Sequence, residues 1–121
     1  MPDSLVADAG GLLVLAGLLE GEPPEAGEIL AVDATALLVA EYLAVRHEGA
    51  PDRARRDFGL CVRVVAEWFP VRSVAIEAAI AAGREAVAES VASLICAEQL
   101  GVDLATTNRD LSSTRVRVWR C

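Results

Sequence analysis

The chain has 121 residues, 54% hydrophobic and 24% charged, and its 11 basic and 18 acidic side chains leave a net charge of −7. That size suits a single domain over residues 1–121, and the apolar content excludes a disordered chain. Every basic residue is Arg, so a Walker A loop, Schiff-base chemistry and any Lys base are excluded, and the single His47 rules out a multi-histidine metal site.

In chain order, residues 4–7 read as a first strand ending at Asp8. A helix over 10–19 follows, closed by Gly21 and the pair Pro23-Pro24. A short helical turn is expected near 25–28, a second strand over 29–32 and a strong helix over 35–47. Asp52 reads as the N-cap of a helix running to about residue 68. A third strand is expected over 71–74, then a helix over 76–82 stopped by Gly83. A longer helix over 85–100 ends at Gly101. A fourth strand covers 102–106, a turn 108–112 and a last strand 115–119.

Strands separated by helices predict an α/β fold: three α/β/α layers around a parallel sheet of about four to five strands. In such sheets the ligand crevice lies beyond the carboxyl ends of the strands, at the switch point. Asp8 and residues 106–110 are therefore the first places to look. No apolar run reaches the ~20 residues that span a bilayer, and residues 10–19 have no basic flank for a signal peptide. Three Cys without a C-x-x-C pair point to a reduced, cytoplasmic protein.

Four acidic positions and one amide are candidates for chemistry. Asp8 either binds a metal or caps the next helix. Glu41 falls in register with Leu37, Leu38 and Val45, which predicts that it points inward. A carboxylate there needs a partner, a proton or a metal, an edge Arg being the plainest partner. On the helix 85–100, Val87, Val91, Leu94 and Ile95 form the expected apolar stripe, with Ser90 inside it. Glu89 lies about 100° away, beside Ser93 and Cys96. Solvated surface glutamates are the plain explanation of Glu85 and Glu89. Asp110 is placed to share the Asp8 crevice, and Asn108 either joins it or caps the turn. His47 sits at a helix end as a favourable cation when protonated. Cys61 and Cys96 read as packing residues. Arg53, Arg55, Arg56 and Arg63 form one basic cluster. Arg115, Arg117 and Arg120 form another, or a charged edge strand.

These residues resemble a PIN domain, the fold of many small Mg²⁺-dependent ribonucleases, including VapC-like toxins of bacterial toxin–antitoxin pairs. The resemblance rests on Leu5-Val6-Ala7-Asp8 through Glu20-Gly21-Glu22-Pro23, on Leu37-Leu38-Val39-Ala40-Glu41, and most specifically on residues 97–111 with Thr106, Asn108 and Asp110. It implies an RNA substrate, Mg²⁺ or Mn²⁺, an antitoxin partner and a candidate homodimer. Asp8, Glu41, Glu89 and Asp110 would be catalytic; Asp8, Glu41, Asn108 and Asp110 would hold the metal. Hard oxygen ligands suit these ions, and bound metal can both activate water and neutralise a phosphate. The third acidic position of the family falls at Ser90 and the fourth at Asn108, both neutral here. The expectation is weak metal binding and weak catalysis, with partner or RNA binding as the alternative function.

Overall fold

The computed structural model describes residues 3–71, 77 and 85–121. The elements run β1 (Ser4–Ala7), α1 (Ala9–Leu15), β2 (Glu28–Val32), α2 (Asp33–Arg46), α3 (Pro51–Val64), β3 (Val65–Phe69), α4 (Glu85–Leu100), β4 (Asp103–Thr106) and β5 (Val118–Arg120). The five strands pair in the order β3-β2-β1-β4-β5, and every described pairing is parallel. This is the expected α/β class.

The central strands are apolar because both faces of the sheet are covered. Alternation along each strand sends side chains to opposite layers. Val6, Leu30, Val32 and Leu104 pack with Ala92, Cys96 and Ala97 of α4. Leu5, Ala7 and Ala105 pack on the other side with Leu12 and Leu13 of α1, Val39 and Leu43 of α2, and Cys61 of α3. Three layers result, with β1 in the middle of the middle one.

The short elements differ from the expected bounds in instructive ways. The helix α1 ends at Leu15, well before residue 19, and residues 24–27 are irregular where a helical turn was expected. The helix α3 starts with Pro51 in its first turn, after Ala50 and not after a capping Asp52. Pro suits that position because its missing N–H would be unpaired anyway. The same helix stops at Val64, and Val65–Phe69 becomes the strand β3. A β-branched residue followed by Trp68 and Phe69 favours the pleated, half-buried setting. Val71 is described outside any strand. The remainder of the expected strand over 71–74 lies outside the described residues. So does the expected helix over 76–82, apart from residue 77, together with Gly83. The last strand is β5, three residues long and shifted to Val118–Arg120. As an edge strand that ends in Arg120 and is preceded by Arg117, it fits the charged-edge reading. The Arg120 guanidinium donates to the carbonyls of Arg109 and Leu111 and ties the edge down.

Two faces predicted from periodicity are rotated in the structure. On α2 the buried residues are Thr35, Val39 and Leu43, while Leu37 and Val45 are 61% and 78% exposed. On α4 the buried face is made of small residues, Ala92, Ser93, Cys96 and Ala97, together with Glu89 and Ser90. Val91, Leu94 and Ile95 are only half-buried. Small side chains let a helix lie close to a sheet, and long ones are then left at the margins.

Candidate functional site

The strand order reverses between β1 and β4, so the switch point lies at their carboxyl ends. Asp8 follows β1 directly, and Thr107 and Asn108 follow β4. The pairing of Ala7 with Ala105 sets both ends level. Together with Gly10, Leu38, Glu89 and Ser90 they line an open crevice of about 240 Å³. Two glycines permit this closeness. A β-carbon at Gly11 would lie 2.2 Å from the Ala105 carbonyl oxygen, and one at Gly10 would lie 1.9 Å from Thr107 Oγ1.

Asp8 is 2% exposed and caps α1, accepting the Gly11 N–H at 2.9 Å. Its other oxygen accepts the Ser90 hydroxyl at 2.9 Å and the Thr106 hydroxyl. Thr106 Oγ1 in turn accepts the Asn108 N–H at 2.9 Å. Glu89 is 3% exposed, contrary to the surface role expected of it. It accepts the Ala9 N–H at 3.1 Å, the Ser93 hydroxyl at 3.1 Å and the Thr35 hydroxyl. Burial raises both carboxyl pKa values, because an ion loses its water there. Glu89 is pushed up to about 7, first by burial and then by the negative charge of Asp8.

The other candidates fall elsewhere. Glu41 is exposed and does not line the crevice, so its expected inward orientation is corrected. The cause is the rotated face of α2: Glu41 shares the solvent side with Leu37 and Val45. Asp110 is also exposed and outside the crevice lining. Its N–H is accepted by Asn108 Oδ1 at 3.0 Å, so Asn108 both lines the crevice and caps the turn. His47 ends α2 as expected, with Nε2 2.7 Å from Asp57 of α3. Cys61 and Cys96 are buried, and burial raises both thiols, in keeping with packing. The side chain of Glu85 lies outside what the structure describes.

Thr35 was not singled out from the sequence, and Ser93 and Thr106 were noted only for their positions, yet the three supply half of the polar contacts to the acid pair. The available signal was their spacing: Ser93 stands one helical turn after Glu89, on the same face.

A divalent cation suits this donor set poorly. Among the described residues no three His, Cys, Asp or Glu side chains converge in a metal-binding group. Asp8 Oδ2 already accepts two hydroxyls, and Glu89 accepts two hydroxyls and the Ala9 N–H. Hard cations favour ionised oxygen ligands with free lone pairs.

A larger cavity of about 370 Å³ opens at the opposite end of the sheet, beside Leu5, Asp103 and Trp119. The Trp119 indole N–H is spent there on the Glu22 carbonyl. Among the described residues no helix is long and apolar enough to cross a membrane. No protein-family model matches the chain, and no curated protein matches it. The chemistry of the crevice therefore rests on its own residues.

Proposed function

We propose that this chain is a PIN-like protein with little or no phosphodiesterase activity that works in the cytoplasm by binding a protein partner. The observation that carries this reading is that the two carboxyls lining the crevice, Asp8 and Glu89, are already engaged in internal hydrogen bonds. By the resemblance, Ser90 and Asn108 stand where the family has charged ligands; Glu41 and Asp110 are exposed outside the crevice, and Asp8 and Glu89 are engaged internally. Without several free carboxylates, neither metal-assisted water activation nor neutralisation of a phosphate has a basis.

Protein binding is favoured over RNA by the surface beside the crevice. Leu38 lines it, and Leu37 and Val45 on the same helix are exposed. Exposed apolar side chains gathered on one helix are usual at protein interfaces. A net charge of −7 opposes a polyanion. The resemblance makes an antitoxin-type protein the first candidate partner. RNA is the second reading, favoured by the exposed Arg53, Arg55, Arg56 and Arg63 on α3.

The test is a fluorescent RNA cleavage assay with Mg²⁺ or Mn²⁺, run on the natural chain and on Asp8→Asn. Both are expected to match buffer alone. Cleavage by the natural chain that disappears in Asp8→Asn would overturn the proposal in favour of an active nuclease. Binding of the uncut RNA, lost when the α3 arginines are changed to Gln, would favour the second reading.

A further inference from the structure

The polar groups around Asp8 and Glu89 come from four elements, α1, α2, α4 and β4. Asp8 lies between β1 and α1, Thr35 on α2, Glu89, Ser90 and Ser93 on α4, and Thr106 on β4. Four hydroxyls and two backbone N–H groups point at two carboxyls. Among the described residues no buried side-chain oxygen or nitrogen lacks a partner. A buried acid pair needs compensation, which in a metal centre comes from the cation. Here hydroxyl dipoles and peptide N–H groups provide it.

We infer that Asp8 and Glu89 form a metal-independent clamp, a hydrogen-bonded centre that fixes α4 and α2 over the carboxyl ends of β1 and β4. The contacts divide the work. Asp8 joins α4 to β4 through Ser90 and Thr106. Glu89 joins α4 to α1 through the Ala9 N–H and to α2 through Thr35. Each contact spans 54 or more positions in sequence, apart from the local ones to Gly11 and Ser93. The clamp thus holds together elements that no local preference would align. This role stands apart from the partner-binding reading, because it rests on internal bonds alone.

Two measurements test the clamp. The first is the melting temperature of the full chain, of Glu89→Ala and of Glu89→Gln. Removing the carboxyl leaves the Ala9 N–H and two hydroxyls unpaired, so Glu89→Ala should melt roughly 10 °C lower. Glu89→Gln keeps the shape and an acceptor oxygen and should recover most of that loss. The second is Mn²⁺ binding to the natural chain, read by electron paramagnetic resonance. No saturable site is expected at up to about 1 mM Mn²⁺, as befits acceptor atoms already engaged. One Mn²⁺ per chain, lost in Glu89→Gln, would overturn the inference. So would a Glu89→Ala protein that melts within about 2 °C of the natural chain. If Glu89→Ala fails to fold, Glu89→Gln and the Mn²⁺ titration still decide.

Discussion

Glu89 is the residue whose chemistry departs furthest from its sequence appearance. Its pKa, pushed up from 4.5 to about 7, means that the folded chain holds a proton that the unfolded chain releases. The stability linked to that proton is complete below about pH 4.5 and is lost as pH rises through about 7. Asp8 shifts in the same direction and adds to the effect. Urea denaturation should therefore show stability falling by about 3 kcal/mol between pH 4.5 and pH 8. Glu89→Gln, which cannot ionise, should flatten most of that slope. A slope that survives the substitution would assign the linkage to another group. The inward position of Glu89 was partly legible, since Ser93 and Cys96 share its face. Its burial was not, because an isolated glutamate favours water. Thr35 and the Ala9 N–H, distant in sequence, join Ser93 in making burial tolerable.

At the scale of elements, α2 shows why helical periodicity left its orientation open. Ala34, Ala36, Leu37, Leu38, Val39, Ala40, Leu43, Ala44 and Val45 surround the helix with apolar groups, so more than one stripe can be drawn. The stripe through Leu37 and Val45 looked best in one dimension. In the structure the buried stripe runs through Val39 and Leu43, against α1 and α3. Single alanine substitutions separate the two. Leu43→Ala should cost about 2–5 kcal/mol, from lost burial and the cavity left behind. Leu37→Ala and Val45→Ala should each cost about 0.5 kcal/mol or less, as exposed sites do. Chemical denaturation measures all three. The helix α3 had no such ambiguity. Its arginines lie on one side and Ala54, Phe58 and Cys61 on the other, and its buried face follows directly.

For the whole molecule, the topology grades stability from the middle outwards. The strand β1 pairs on both sides, with β2 and β4, and carries the fully buried Val6 and Ala7. The strand β5 has three residues and one described neighbour. Native-state hydrogen exchange should find the amides of β1 and β4 opening only with global unfolding. Those of β5 should exchange through local opening at far lower cost. Equal protection across β1 and β5 would contradict the strand order. The position of the crevice belongs to this scale as well. It exists because the chain leaves the β2–β3 side of β1 and returns on the other side as β4.

The sequence by itself determined the alternation of strands and helices, the bounds of β1 and α4, and the placement of Asp8 at a strand end. Those features follow from local rules: alternation of apolar residues, and Gly and Pro as stops, which act over a few residues. It also implied that the carboxyl ends of β1 and of the strand before Thr107 lie on the same side, because all strands of a parallel sheet run in one direction. Tertiary structure alone decided which faces of α2 and α4 turn inward, and so exchanged Glu41 for Glu89 in the crevice. Both helices are apolar or small-sided over more than half of their circumference. Their rotation was settled by what stood opposite: hydroxyls and peptide N–H groups from α1 and α2 able to satisfy Glu89, and none assembled around Glu41.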